Sequence, residues 1–417
     1  MDTLAKKTAP AQQFDAVVVG GGVVGVTLVA LLAQAGMQVA LVEARTEPLR
    51  WQGIAGKLPG VRVSALTPVS QRLLTHLGAW PAMARARVTP YRYMQVWDAE
   101  GSGEINFSAD EAGVPVLGHI VENDITQAAL NALVMDHPKV TCFFDATLQA
   151  LQTSAAGRWL ELGDGRKLNA PLLVAADGAR STLREMAEIE VAIDDMGQEA
   201  VVTTVKCTQG HGSTARQAFM ESGPLAFLPL TVDGDERYCS IVWSTTPEHA
   251  STLVNLAHEA LGEALGKAFG YRLGEVVACD RTYRFPLIQR HARQYVQPHL
   301  ALIGDAAHSI HPLAGQGVNL GLMDAAVLAE EVINAWKRGA PWGELTTLNR
   351  YERRRRLDNS AMLGLMKGFR ELFGTQMPLF TLARNLGMSG MNQLSPVKRM
   401  VMRQAIGERG RLPLNCR

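Results

Sequence analysis

The apolar run from Ala16 to Val42 limits what this chain can fold into more than any other feature of its sequence. A run of this length and hydropathy would suit a membrane span. Four glycines interrupt it, at Gly20, Gly21, Gly22 and Gly25. Because glycine opens tight turns that other residues resist, we interpret the run as a strand, a glycine turn, a helix and a second strand.

Gly20, Gly22 and Gly25 form a GxGxxG pattern directly after the predicted strand Phe14–Val19. Such a turn lets a pyrophosphate approach the backbone, and the following helix directs free N–H groups at it. Glu43 ends the second strand at the spacing where an acid holds ribose hydroxyls. The pattern predicts a dinucleotide-binding site but does not distinguish NAD from FAD. The Glu43 carboxylate disfavours NADP, because it would repel a 2′-phosphate.

A second motif follows another predicted strand, Leu172–Ala176. It consists of Asp177, Gly178 and a short segment to Arg184. The turn has two interpretations. Asp177 could face a ligand cleft at the carboxyl end of the strand. Ser181 could instead cap an ordinary helix after an ordinary turn.

A third junction occupies Gly304–Gly321, between the predicted strand His299–Ile303 and a helix that we expect to begin near Val318. Asp305 leaves the strand where it can accept hydrogen bonds from a ligand hydroxyl. Gly315 and Gly317 remove side chains where backbone must approach a ligand. The helix N-terminus favours an electron-rich group, such as the pyrimidine end of a reduced flavin.

From about Glu188 to Phe285 the sequence becomes rich in β-strand patterns, with one predicted helix over Ser251–Phe269. We interpret this part as an inserted antiparallel lobe with one covered face and as the natural platform for a substrate. Phe227, Tyr238 and Trp243 could line a pocket there, although ordinary core packing is the better interpretation.

Residues 337–417 carry 16 Lys and Arg against 5 Asp and Glu, a net +11, so the rest of the chain carries −10 to reach the overall +1. This basic tail holds seven of the 16 methionines and the run Arg353-Arg354-Arg355-Arg356. It could meet an anionic membrane surface or a partner. The alternatives are a solvated helical subdomain or arginines engaged in ion pairs.

The 417 residues suffice for two domains, or for one domain with an inserted lobe. The five cysteines show no CxxC spacing, which argues against a zinc site or a disulfide framework and fits a reducing cytoplasm. The first 13 residues lack the apolar core of a signal peptide.

Together, the three motifs in this order resemble the class A flavoprotein monooxygenases related to para-hydroxybenzoate hydroxylase. Further stretches narrow the resemblance to the ubiquinone-biosynthesis hydroxylases, most closely to those that hydroxylate 2-polyprenylphenols at C5: Arg62–Leu66, Leu117–Asn123, Ala226–Leu230, Cys239–Trp243 and His308–Asn319. The resemblance implies an α/β, FAD-binding Rossmann-like fold of the GR2 type with an inserted antiparallel β-sheet substrate lobe and a C-terminal helical region. The implied boundaries are 1–187 and 286–340 for the FAD-binding domain, 188–285 for the lobe and 341–417 for the helical region.

The resemblance also implies a set of cofactor contacts. Its members are Gly20, Gly22, Val23, Val24 and Gly25 at the pyrophosphate, Glu43 and Ala44 at the adenosine ribose, Arg62 along the cofactor, Glu122 near the ribityl–phosphate region, Asp177 and Gly178 in a turn that serves FAD and NAD(P)H, Gly304 and Asp305 at the ribityl chain, and Pro312, Gly315, Gln316, Gly317, Val318 and Asn319 beside the isoalloxazine ring. Glu122 departs from the Arg or Gln that relatives often carry. We predict no catalytic acid or base, and we expect His308 and His311 to act structurally.

The implied reaction is hydroxylation of a polyprenylphenol ring by O2 through a flavin C4a-hydroperoxide, a species that decays when water reaches it, with FAD as cofactor and NAD(P)H as electron donor. The expected location is the cytoplasm with peripheral contact to the inner membrane, in a homo-oligomer or a quinone-biosynthesis complex, and without nucleic acid. Alternatives are hydroxylation at C6 or C1, hydroxylation of a small soluble aromatic, and a non-enzymatic assembly subunit.

Overall fold

The computed structural model describes residues 11–53, 59–154, 157–309, 317–374, 398, 402–408 and 410–417. Its strands, in chain order, are β1 Gln12–Gln13, β2 Ala16–Val19, β3 Val39–Val42, β4 Val63–Leu66, β5 Thr89–Tyr91, β6 Tyr93–Asp98, β7 Glu104–Ser108, β8 Gly118–Glu122, β9 Val140–Phe143, β10 Leu148–Ser154, β11 Gly157–Leu162, β12 Lys167–Ala170, β13 Leu173–Ala175, β14 Val191–Cys207, β15 Thr214–Met220, β16 Gly223–Val232, β17 Asp235–Thr245, β18 Val276–Cys279, β19 Tyr283–Ala292, β20 Val296–Gln297, β21 Leu300–Leu302 and β22 His308–Ser309. The helices are α1 Val23–Gln34, α2 Pro68–Leu77, α3 Trp80–Ala86, α4 Ala109–Ala112, α5 Asn123–Val134, α6 Thr182–Met186, α7 Pro247–Val254, α8 His258–Ala268, α9 Gly317–Lys337 and α10 Leu345–Gly374.

A six-stranded sheet in the order β20-β21-β13-β2-β3-β9 contains the strands that precede the three sequence motifs. All its pairings are parallel except that between β20 and β21. Strands β2, β3, β13 and β21 are buried along their whole length, as expected for parallel strands covered on both faces. The central strands β21, β13 and β2 are direct neighbours, so their carboxyl ends meet at one edge.

The apolar run analysed first divides as the sequence predicts. Strand β2 ends at Val19, α1 runs over Val23–Gln34 and β3 ends at Val42. The sequence also predicts a helix over roughly Pro68–Leu77. Helix α2 has these bounds in the structure, and Thr67 is its N-cap, accepting a hydrogen bond from Ser70 N. Predicted strands at Leu148–Thr153, Trp159–Leu162 and Lys167–Leu168 suggest a small antiparallel meander, and β10, β11 and β12 form one.

The inserted lobe is built on a larger sheet in the order β22-β19-β14-β17-β16-β15-β6-β7, with β18 paired to β14. Outside the stretch 188–285, this sheet also takes in Tyr93–Asp98, Glu104–Ser108, the end of β19 at Ala292 and His308–Ser309. The lobe therefore uses strands from separate parts of the chain, and the domain boundaries remain a prediction.

Both faces of this sheet contact apolar side chains, whereas the sequence analysis expects one covered face. Phe227 stacks on Phe269 from the α8 side, with ring centroids 3.7 Å apart. Leu228, on the opposite face of the same strand, packs in a cluster with Tyr91 and Ile120 of the small β4-β8-β5 sheet. Burial on both faces explains why Leu225–Leu230 is apolar throughout rather than alternating.

The single helix predicted over Ser251–Phe269 is wrong, because the structure forms two helices there. Helix α7 ends at Val254 and α8 begins at His258. Asn255 is the C-cap of α7, and its backbone N–H bonds to the carbonyls of Leu253 and Thr252. Apolar periodicity continues across the break, so the pattern did not reveal it.

The arginine run of the basic tail lies on α10 and is largely engaged in ion pairs. Arg354 pairs with Glu330 at 2.6 Å and Glu331 at 2.7 Å, and Arg355 is buried against Asp324 at 2.7 Å. Arg356 lies 3.8 Å from Glu352 and is half exposed. The ion-pair alternative therefore describes these three side chains. Among the described helices, none is long and apolar enough to cross a membrane.

Candidate functional site

The turn between β2 and α1 requires glycine at two positions for packing and leaves a third open. Gly20 has φ +108°, and a Cβ there would lie 2.3 Å from the carbonyl oxygen of Ala176. A Cβ at Gly25 would lie 2.0 Å from the carbonyl oxygen of Gly20. At Gly22 a Cβ would meet no protein atom within 4 Å, so the chain leaves space beside this residue.

Helix α1 begins immediately after that space, at Val23 and Val24. Gly22 is its N-cap, no side chain caps it, and its first turn carries no acidic residue. Its first N–H groups are therefore available to a bound anion, and the helix dipole favours negative charge at this end.

Glu43 holds the glycine turn in place. Its carboxylate accepts hydrogen bonds from Gly21 N at 2.6 Å and from Arg45 N at 2.9 Å. Burial opposes ionisation, but the hydrogen bonds from Arg45 and Gly21 hold the pKa of Glu43 below its ordinary value. Ala44 beside it is exposed. The sequence analysis missed Gln127, which donates to Gly21 O at 2.9 Å from α5.

In the structure, the turn at Asp177 has the hydrogen bonds of a capped helix. Asp177 accepts hydrogen bonds from the Ser181 hydroxyl at 2.5 Å and from Leu183 N at 3.1 Å, and Ser181 caps α6 by accepting from Arg184 N. Gly178 has φ +84°, and a Cβ there would meet nothing within 4 Å. A ligand contact for Asp177 and Gly178 remains a prediction, and the open position at Gly178 leaves room for it.

Arg184 joins this turn to the third motif, a link that the sequence analysis missed. Its guanidinium is buried and donates to Ala179 O at 3.0 Å and to Ala306 O at 2.9 Å. Arg184 and Ala306 are 122 positions apart in the chain. The strand-end turns after β13 and β21 are thereby fixed against each other.

Asp305 lies in a 3-10 turn formed by Gly304–Ala306, directly after the β21 strand. Its side chain is accessible to solvent, yet the surrounding protein raises its pKa, an effect that the charges of His308 and Arg62 oppose. Asp305 is therefore an accessible carboxylate at the carboxyl edge of the parallel sheet. Within the part of the chain that the structure describes, no hydrogen bond to this carboxylate is formed, so its acceptors are available to a ligand.

Val24 brings the first and third motifs into contact. A Cβ at Gly304 would lie 3.2 Å from Val24 Cγ1, and a Cβ at Gly321 would lie 2.5 Å from Val24 Cγ2. The start of α1 therefore packs directly on the Gly304 turn and on α9. Three strand-end motifs predicted from separate parts of the sequence meet at one edge of the parallel sheet.

A buried carboxylate on α9, that of Asp324, holds the Gly304 turn in place. The sequence did not single it out as a site residue. It accepts hydrogen bonds from Gly304 N at 3.0 Å, His308 Nε2 at 2.5 Å and Arg355 Nε at 2.7 Å. Burial opposes ionisation, but His308 and Arg355 bring the pKa of Asp324 to about 2. The signal was present, because Asp324 is the one charged residue between Val318 and Ala329 and a buried charge needs partners. His308 is thus hydrogen-bonded within the fold, and the structural role expected of it remains a prediction.

The start of α9 holds the remaining predicted ring contacts. A Cβ at Gly317 would meet nothing within 4 Å, and Val318 is half-buried. The Asn319 side chain is engaged by protein: its Oδ1 accepts from Thr67 N and Ser70 Oγ, and its Nδ2 donates to Ala65 O. A contact to the cofactor would therefore fall to its backbone. His311, Pro312, Gly315 and Gln316 lie outside the described residues.

Glu122 and Arg62 lie on the small sheet beside this edge. Glu122 is buried, and its carboxylate accepts from Arg87 Nε at 2.5 Å and from Gly60 N at 2.5 Å. The guanidinium of Arg62 lies over the Phe285 ring, 5.4 Å from its centroid. Glu122 thus holds the backbone near Arg62, while Arg62 reaches the strand β19 of the lobe.

These residues suit two chemical groups of FAD, its pyrophosphate and its hydroxyl-bearing ribityl chain. The uncapped start of α1 and the space beside Gly22 suit a pyrophosphate, and the free acceptors of Asp305 suit sugar-type hydroxyls. The contact between Val24 and the Gly304 turn makes the two corners adjacent. One extended ligand can therefore occupy both.

Comparison with known proteins identifies the family. The model described as "FAD binding domain" matches residues 13–363. The chain is 39% identical to the 3-demethoxyubiquinol 3-hydroxylase of Escherichia coli, over 95% of this chain and 99% of that protein. It is 35% identical to the ubiquinone hydroxylase UbiL of Rhodospirillum rubrum, over 94% of this chain and 89% of that protein.

Solved structures show the same fold. PqsL, a probable FAD-dependent monooxygenase from Pseudomonas aeruginosa, matches with a TM-score of 0.75 and 21% identity over 91% of this chain and all of that chain. A single-residue variant of HpxO from Klebsiella pneumoniae, complexed with FAD, matches with a TM-score of 0.71 and 19% identity over 94% and 98% of the two chains. The predicted α/β flavoprotein fold is therefore confirmed. The chain belongs to the FAD-dependent monooxygenases, in the family of the ubiquinone-biosynthesis hydroxylases.

Proposed function

We propose that this monooxygenase hydroxylates the aromatic ring of a polyprenylated phenol on the route to ubiquinone. The observation that carries the proposal is the 39% identity with a demethoxyubiquinol hydroxylase, which extends over 95% of this chain and 99% of that protein. Because the likeness includes the lobe as well as the cofactor-binding part, it covers the substrate platform. The mitochondrial COQ6 monooxygenase of ubiquinone biosynthesis in Homo sapiens supports the same substrate class at 32% identity.

We propose the cofactor contacts that the resemblance implies. Gly20, Gly22, Val23, Val24 and Gly25 would hold the pyrophosphate, Glu43 and Ala44 the adenosine end, and Gly304 and Asp305 the ribityl chain. Asp177, Gly178, Arg62, Glu122 and the segment from Pro312 to Asn319 complete the proposed set. The open space at Gly22 and the free acceptors of Asp305 support this placement.

Bound FAD would supply the redox chemistry, in which O2 is activated and one oxygen atom is delivered to the ring. The chain's own residues orient the cofactor, hold the turns around it and exclude water. Glu43 fixes Gly21, and Asp324 fixes Gly304 and His308. His308 already bonds to Asp324, which supports the assignment of no catalytic base to it.

The electron donor is proposed to be NADH or NADPH. The chain has one dinucleotide fingerprint, at Gly20–Gly25, so the donor would bind transiently. Anaerobic mixing of the FAD-loaded protein with each nucleotide tests this step. Bleaching of the flavin absorbance by one nucleotide identifies the donor, and no bleaching by either would point to a separate reductase.

For the ring position we propose C5 of a polyprenylphenol, as the resemblance predicts, with C6 and C1 as the alternatives. The Escherichia coli relative is named for position 3 of a demethoxyubiquinol. Quinone intermediates should be profiled by mass spectrometry in a host with the gene deleted and again after it is restored. The precursor that accumulates identifies the position, and an unchanged profile on deletion would refute the proposed function.

A further inference from the structure

The C-terminal helix α10 reaches the cofactor-side turn through one buried carboxylate, that of Asp324. Two donors come from the turn: Gly304 N at 3.0 Å and His308 Nε2 at 2.5 Å. Two others come from α10: Arg355 Nε at 2.7 Å and Asn359 Nδ2 at 3.3 Å. Asp324 and Asn359 are fully buried and Arg355 is 4% exposed, so these bonds form away from water.

Arg355 is held in one orientation. Besides Asp324, its guanidinium donates to Leu320 O at 3.3 Å, to Asn359 Oδ1 at 2.8 Å and to Asp358 at 3.0 Å. A planar guanidinium with this many directed bonds is more restrained than a lysine ammonium would be. Its Nε therefore donates to Asp324 of α9 from a fixed position.

The turn itself is fixed at every residue around Asp305. Gly304 N bonds to Asp324, Ala306 O accepts from Arg184, and His308 bonds to Asp324. Asp305 is held by no side-chain hydrogen bond of its own within the described residues. The direction of its side chain is consequently set by the backbone on either side of it.

We propose that Asp324 and Arg355 are positioning residues for FAD: through them the C-terminal helix fixes the Gly304–His308 turn and so aims Asp305 at the ribityl chain. This inference rests on the proposed placement of Asp305 against FAD. It assigns a cofactor-positioning role to one arginine of a run whose charge alone suggested a membrane contact.

The test uses the full chain and four variants. The double variant Asp324→Asn/Arg355→Met removes both buried charges together, which avoids leaving one unpaired. Arg355→Lys keeps a cation but cannot make the same set of bonds. Arg356→Met is the matched control on the same helix, because Arg356 is half exposed and 3.8 Å from Glu352. Asp305→Ala tests the placement of FAD itself.

The measurements are the Kd for FAD by flavin fluorescence, the reduction potential of the bound flavin, and the Tm of the FAD-free protein. We expect the double variant and Arg355→Lys to raise the Kd at least roughly tenfold, as for loss of a charge-assisted hydrogen bond, and to shift the potential. Arg356→Met should match the unsubstituted protein in both. Arg355→Lys decides the question by itself if the double variant is not recovered folded.

Two outcomes overturn the inference in distinguishable ways. If Asp305→Ala binds FAD with unchanged Kd, the proposed placement of FAD fails, and the inference with it. If Asp305→Ala loses FAD while the Asp324 and Arg355 variants lower only the Tm of the FAD-free protein, the placement stands and the positioning role is refuted.

Discussion

Val24 packs so closely on Gly321 that a methyl group at Gly321 would lie 2.5 Å from Val24 Cγ2. This contact joins the first turn of α1 to α9, and Gly304 Cα lies only 3.3 Å from the same methyl position. Glycine normally weakens a helix. At Gly321 the low helix propensity of glycine is offset, because only a residue without a side chain lets the backbones of the two motifs approach so closely.

Replacing Gly321 with alanine should therefore destabilise the protein although alanine is the better helix former. Val24 is short and branched, so it cannot move aside freely. We expect a loss of about 1–3 kcal/mol in the free energy of unfolding and weaker FAD binding, measured by urea denaturation and fluorescence titration. Gly364→Ala on α10 is the control: its Cβ would meet nothing within 4 Å, and it should gain about 0.5–1 kcal/mol. Equal effects of the two changes would contradict the packing argument.

Gly22 and Gly25 should respond in opposite ways to alanine. At Gly25 the new Cβ would lie 2.0 Å from Gly20 O, a backbone atom, so the variant should lose about 3 kcal/mol or more of stability. At Gly22 the Cβ would meet no protein atom within 4 Å, so the FAD-free protein should keep its Tm. The methyl group would instead occupy the space proposed for the pyrophosphate. A Gly22→Ala protein that retains full FAD affinity would show that the pyrophosphate lies elsewhere.

Arg87→Met should be costly because it leaves the buried Glu122 carboxylate without its cation. The side chains of Arg87 and Glu122 are 15% and 3% exposed, and their atoms lie 2.5 Å apart. Loss of one partner from such a pair costs about 3–5 kcal/mol, which chemical denaturation would measure. Arg92→Met is the matched control, since the Arg92–Asp110 pair is 43% and 71% exposed and should contribute about 1 kcal/mol or less. Similar losses in both variants would mean that Glu122 finds other compensation.

The sequence predicted those parts of the site that are local in the chain. The glycine turn, the acid at the end of each strand and the helix Pro68–Leu77 all follow from short-range rules about turns, caps and periodicity. Gly20 and Asp305 could be found because a strand followed by a helix marks the carboxyl edge of a parallel sheet.

The links that hold the motifs together could not be predicted in this way. The partners of Arg184–Ala306, Arg87–Glu122 and Arg355–Asp324 lie 122, 35 and 31 residues apart. Each depends on how helices and sheets pack, which a single sequence does not specify. Asp324 carried a usable signal, a lone charge in an apolar helix, but the signal does not name a partner. The charge of the arginine run did not distinguish its alternatives, because a total charge does not show which side chains point inward.

The pH dependence of stability should show the titration of His119. His119 is buried, its Nδ1 has no hydrogen-bond partner among the described residues, and its ring meets Trp80 edge-on at 4.9 Å. Burial lowers the pKa of His119 from 6.5 to about 4. Between these values the unfolded chain binds a proton that the folded protein does not, so the free energy of unfolding falls as the pH falls from about 6.5 to about 4.

From pH 7 to pH 5 this one group should remove about 2 kcal/mol of stability. His119→Leu removes the titration, so its stability should fall less than that of the unsubstituted protein over the same interval, by about that amount. Urea denaturation at both pH values with excess FAD measures the difference. His76→Leu is the control for the loss of a histidine, because His76 is exposed on α2. Parallel curves for the unsubstituted protein and His119→Leu would show that His119 gains a partner or water when folded.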